Sequence, residues 1–176
     1  MKISVKSKNA ILTLIGIGLF FAFSHLYPEH INEVSGKVVA VQDGDTVTIL
    51  TDENKSVKVR LSQIDAPEKN QPFGQSSKQI LSDLVYLKEV SVIEDDVDRY
   101  GRVVATLYLN DQDINAQMVQ KGAAWVYTQY VYDHNLYLLQ DEAKLEKRGL
   151  WALPEKDQIP PWKWRKKKKT TTPTLE

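Results

Sequence analysis

The chain contains no cysteine. That absence excludes disulfides, thiolate metal sites and cysteine nucleophiles together. It assigns no compartment, because an exported protein can do without disulfides. Histidine is scarce too, three residues in 176 and none of them clustered, so an imidazole-rich metal site is not expected. A Ser-His-Asp motif, a phosphate-binding glycine loop and internal repeats are all missing. An overall charge is missing as well, with 23 Lys/Arg against 23 Asp/Glu.

The balanced charge hides an uneven distribution. Residues 36–160 hold 14 Lys/Arg and 20 Asp/Glu, a net −6, so the basic residues concentrate at the two ends. Lys2, Lys6 and Lys8 precede the apolar run "AILTLIGIGLFFAF", Ala10 to Phe23, and no Asp, Glu, Lys or Arg intervenes from Asn9 to Pro28. Basic residues followed by such a run read as a secretory signal, and Ala22-Phe23-Ser24 offers small residues for cleavage. An uncleaved membrane anchor is the competing reading, since the uncharged stretch approaches the ~20 residues that span a bilayer. Either one carries the domain out of the cytoplasm, to be secreted, periplasmic or membrane-anchored. Residues 1–27 are therefore assigned to signal or anchor, 28–34 to a linker, 35–160 to a domain, and 161–176 to a basic tail with disordered parts.

Within the domain the period alternates between that of strands and that of helices. "GKVVAV" runs into Asp43-Gly44-Asp45, and "TVTIL" leaves it, as a hairpin would. "VKVRLSQI" alternates, with Val57, Val59 and Leu61 on one face. Phe73 to Leu87 has helical spacing, "EVSVI" and "VVATLYL" return to strand, and a short helix capped by Asp113 follows. A last helix is expected from about Asn135 to Arg148, stopped by Gly149, with His134 at its start. Five strands with about three helices predict an α+β protein built on a five-stranded OB-type barrel.

Three short motifs sit at predicted strand ends: "DGDT" (Asp43 to Thr46), "RLSQIDAPE" (Arg60 to Glu68) and "DRYGR" (Asp98 to Arg102). If the barrel gathers those ends, Asp45, Asp65 and Glu68 make an all-oxygen pocket, suited to calcium or magnesium and not to zinc. Arg60 and Arg102 add two guanidinium forks, which can clamp a phosphate by paired hydrogen bonds. Carboxylates, a hard cation and two arginines in one place point to phosphate-ester chemistry. Taken singly, each motif has a plainer reading as a turn, a helix start or solvated surface.

These motifs in this order, with "NAQMVQKGAAWVY" after them, resemble the thermonuclease (staphylococcal-nuclease-like) family over about Ser35 to Trp151. The resemblance implies an OB-type barrel and calcium-dependent hydrolysis of DNA and RNA that leaves 3′-phosphate ends. It implies that Asp45, Asp65 and the backbone carbonyl of Ala66 hold calcium. It implies catalysis by Arg60, Glu68 and Arg102, with Glu68 on the attacking water. Asp43 and Thr46 would support the site from the turn. Tyr100 and Tyr130 stand where nucleotide contacts are expected, and Tyr127 or Tyr132 can take the second place. The substrates would be DNA and RNA, the membrane is a partner through the N-terminus if the anchor is kept, and the catalytic domain is expected to be monomeric. A different class remains as alternative: a non-catalytic OB-fold module that binds nucleic acid or protein, against which stands the presence of Arg60, Asp65, Glu68 and Arg102.

The tail "PPWKWRKKKK" also has two readings. Tryptophan and lysine can hold bases and phosphates, or the tryptophans can dock on the barrel while the lysines stay solvated and disordered.

Overall fold

The computed structural model describes the backbone of residues 33–171 and the side chains of residues 34–167. The apolar N-terminal run, with its export and membrane readings, lies outside these residues.

Strands rich in β-branched residues form the frame. β1 (Glu33–Val41), β2 (Thr46–Leu50) and β3 (Ser56–Leu61) come first. After a short β4 (Ile64–Asp65) and a helix, α1 (Gly74–Val85), come β5 (Glu89–Val97) and β6 (Val103–Leu109). The order β3-β2-β1-β5-β6 is antiparallel throughout, and a parallel pairing of β3 with β6 closes the sheet on itself. The five-stranded barrel expected from the alternation is therefore present. Closure requires bent strands, and register shifts at Val38/Ala40 in β1 and Glu94/Asp96 in β5 provide the bends. Val38, Val47, Ile49, Val59, Leu61, Val92 and Leu107 fill the interior at 0% exposure. Each such side chain contributes roughly 1.5–3 kcal/mol on burial, so a one-residue slip of register would be prohibitive.

One strand ends earlier than its alternation suggests. β3 stops at Leu61 because Gln63 takes a left-handed backbone, φ 63°. The fold uses both oxygens of that residue. Its carbonyl accepts from the Tyr127 amide (2.8 Å), and its side-chain oxygen accepts from the amides of Tyr132 (3.1 Å) and Asp133 (2.7 Å). The chain then re-enters as β4, which pairs with β8 (Trp125–Val126) so that Asp65 stands opposite Trp125. A two-residue β7 (Gln112–Asp113) extends the sheet beyond β6.

The three expected helices are present. α1 buries Leu81 and Val85 against the barrel. In α2 (Ile114–Gln120) the Asp113 carboxylate accepts from the Ala116 amide, the cap read from the sequence. α3 (Asn135–Leu145) ends before the expected Arg148, since Lys147 already adopts φ 53°. Residues 161–171, read from the sequence as tail, form a fourth helix, α4 (Pro161–Thr171).

Asn115 ties α2 to the barrel seam. Its side chain, 1% exposed, accepts from the Leu107 amide (3.2 Å) and donates to the carbonyls of Ser62 (3.0 Å) and Ala105 (3.1 Å). Asn115→Ala should therefore lower stability by at least about 1–3 kcal/mol, the cost of one orphaned buried polar group. An unchanged urea midpoint would show that the seam does not depend on this amide.

Candidate active site

The loop from β1 to β2 is shaped by its own side chains. Asp43 Oδ1 accepts from the Asp45 amide at 3.1 Å, a tight local turn. Gly44 is not there for a left-handed backbone, because its φ is not among the positive ones. It is there for close approach: a Cβ would lie 1.9 Å from Ser77 Oγ on α1 and 2.7 Å from the Ala66 Cβ. The turn thus presses against α1 and the β4 loop, which brings Asp45 to the Ala66 amide. Asp45 Oδ2 accepts from that amide at 2.7 Å, and Oδ1 accepts from the Thr46 hydroxyl at 3.0 Å.

Arg60 comes from β3, opposite Thr46 in register. Its Nη2 lies 3.0 Å from Asp65 Oδ1 and 3.3 Å from Asp45 Oδ2, while Nη1 donates to the Leu61 carbonyl at 2.7 Å. Two acids twenty positions apart in the chain therefore meet at one nitrogen. Both are buried, Asp45 at 6% exposure and Asp65 at 1%.

Glu68 stands at the rim with its side chain 39% exposed. Its backbone amide donates to Gln71 Oε1, and Gln71 Nε2 donates to the Ile159 carbonyl just ahead of α4. From α4 comes a residue that the sequence reading did not place in the site. Arg165 Nη2 lies 2.7 Å from Asp65 Oδ2, and Nη1 donates to Asp65 Oδ1 (3.2 Å) and Glu68 Oε1 (2.7 Å). In a run of basic residues nothing local singles out Arg165; only its i, i+3 spacing from Trp162 hints at a shared face.

Arg102 leads into β6, whose Val104 stands opposite Arg60, so its backbone is at the same end of the barrel. Its guanidinium is held by Asp98, with Nε and Nη2 each 2.7 Å from Oδ2. Burial pushes the Asp98 carboxyl up, but the amides of Arg102 and Tyr100 and the Arg102 fork outweigh it and hold it below the ordinary range.

The tyrosines divide. Tyr100 is exposed and lies under the Arg99 guanidinium, 4.8 Å from the ring centroid. Tyr130 is exposed too, in edge contact with Tyr127. Tyr127 is covered: Trp162 of α4 stacks on it at 5.3 Å with planes 8° apart. Tyr132 donates its hydroxyl to Asp95.

Negative charge is costly here. Burial, then the neighbouring Asp45, push Asp43 up to about 6. Burial also raises Asp65, against the opposing hydrogen bond from Arg165. An all-oxygen donor set such as Asp45, Asp65 and the Ala66 carbonyl fits a hard divalent cation in kind. Among the described residues no group of three or more such side chains converges as a ready metal cluster. The Arg165 guanidinium bonds both Asp65 and Glu68.

The profile of the family described as "Staphylococcal nuclease homologue" matches residues 58–153, a span that holds Arg60, Asp65, Ala66, Glu68 and Arg102. An uncharacterized endonuclease of Haemophilus influenzae is 49% identical over 133 residues, 76% of this chain and 74% of its own length. An uncharacterized endonuclease of Escherichia coli is 44% identical over 151 residues, 85% of this chain and 95% of its own. A micrococcal nuclease of Shigella flexneri is 41% identical over 148 residues, 78% of this chain and 83% of its own.

An acid whose pKa is higher folded than unfolded binds its proton more tightly when folded, so it adds stability at low pH and costs stability above its folded pKa. For Asp43 that change spans the window from the ordinary 3.8 to about 6. In chelator, Asp43→Asn should gain stability relative to the parent as pH rises from about 4 to about 7. An identical difference in urea midpoint at both ends would contradict the burial of this charge.

Proposed function

The chain is a nuclease of the staphylococcal nuclease homologue family, and we propose that it hydrolyses phosphodiester bonds of DNA and RNA with calcium, leaving 3′-phosphate ends. The observation that supports this most is the meeting of Asp45 and Asp65 at the single guanidinium of Arg60. A binding module has no need to bury two acids beside a phosphate-seeking fork.

Asp45, Asp65 and the Ala66 carbonyl would hold the calcium ion. Bound there, calcium supplies positive charge to a phosphate oxygen without any proton transfer. The other steps belong to the side chains. Glu68, half-exposed at the rim, takes the proton of the attacking water. Arg60 grips the scissile phosphate with charge-assisted hydrogen bonds that strengthen as negative charge develops. Arg102, oriented by Asp98, faces the phosphate near the leaving 5′ oxygen. The new bond runs from water oxygen to phosphorus, the bond to the 5′ oxygen breaks with its electron pair on that oxygen, which takes a proton from solvent, and phosphate stays on the 3′ side. Asp43 and Thr46 hold Asp45 in place through its amide and its carboxylate. Exposed Tyr100 and Tyr130 offer faces for bases.

The test is digestion of DNA and RNA with calcium, magnesium or chelator, alongside Glu68→Gln and Arg102→Ala. Cleavage should need calcium, and each variant should lose about 10²–10³-fold in rate, the size of one preorganised electrostatic group. Cleavage that survives the chelator and both substitutions would refute the assignment. End-group analysis should find 3′-phosphate.

The location follows from the basic, apolar N-terminus, which would export the domain by cleavage or keep it anchored. Fractionation of cells expressing the full chain should find the enzyme outside the cytosol; recovery in the cytosol alone would contradict export.

A further inference from the structure

α4 enters the site from the far end of the chain and engages it at two points. Trp162 and Arg165, three residues apart, share one helix face. Trp162 stacks flat on Tyr127 and meets Trp125 edge-on at 6.0 Å. Arg165 takes both oxygens of Asp65 and one of Glu68, although its own side chain is 40% exposed. Gln71 braces the approach by bonding Ile159, and the same side chain bonds the Glu68 amide. Charge favours the docking: α4 holds six Lys/Arg and no acid, against the net −6 of residues 36–160.

These contacts coincide with positions the nuclease needs. Docked Arg165 holds both oxygens of Asp65 and one of Glu68 against a competing divalent cation, and the Tyr127 face under Trp162 is closed to a base. We propose that α4 is a displaceable plug: Arg165 is the resident counter-cation of the acidic pocket, and a divalent cation evicts it and lifts Trp162 from Tyr127. The proposal rests on the calcium reading above.

The physics is competition. Only the fraction of molecules with α4 lifted offers the Asp65 oxygens to the cation, so the apparent calcium affinity is reduced in proportion to that fraction. Docked, the plug also gives Asp65 a second cationic partner, so that the two buried acids do not share the Arg60 guanidinium alone. Opening trades one cation for another at Asp65 and frees the basic helix at the mouth of the site.

Calorimetric titration of the full chain with calcium tests this, beside Arg165→Ala and the near-isosteric Arg165→Gln, with tryptophan fluorescence followed in parallel. Both variants should bind calcium about tenfold more tightly than the parent, as expected when a competing conformation is removed. Calcium should change the parent's fluorescence, and Trp162→Phe should abolish most of that change. Parent and variants that bind calcium with equal affinity overturn the plug and leave the calcium nuclease standing. Weaker binding in both variants also overturns it, making Arg165 a support of the metal site. No calcium binding by any of them overturns the calcium reading, and the plug with it.

Discussion

Two carboxylates can lie side by side under the surface only if positive charge meets them, and Arg60 supplies it to Asp45 and Asp65. Much of the architecture serves that meeting. Barrel closure through β3 and β6 fixes the strand that carries Arg60. The pressing of Gly44 against Ser77 and Ala66 fixes the turn that carries Asp45. The β4–β8 pairing fixes Asp65. Each support bears on one of the three groups that meet there.

The barrel was legible in the sequence because its cause is local and repeated. Alternation of Val, Ile and Leu sets strand faces, and Asp113 announces its helix by a side-chain cap that acts within a few residues. The site was legible as residue types at strand ends. What made the motifs meet was not: Gln63 breaks β3 for partners about seventy positions away. Gly44 carries a turn signal, yet its use is steric and directed at a helix thirty residues later. Arg165 was the residue most hidden, because a lysine run looks alike at every position until Trp162 finds Tyr127.

The charge balance acquires a physical meaning. An acidic domain suits cation binding but repels a polyanionic substrate, and the basic α4 offsets that repulsion at the mouth of the site. The same helix covers an acidic pocket that would otherwise be left with Arg60 alone. If α4 is the proposed plug, the two readings of the tail, docked or available to nucleic acid, are two positions of one helix.

The central claim is that Asp45 and Asp65 form one cation pocket. A crystal structure of the chain grown with calcium tests it most directly. The account predicts one calcium ion bound by both carboxylates and the Ala66 carbonyl, at oxygen distances of about 2.3–2.6 Å. Calcium bound elsewhere, with Asp45 and Asp65 still paired only to arginines, would contradict it.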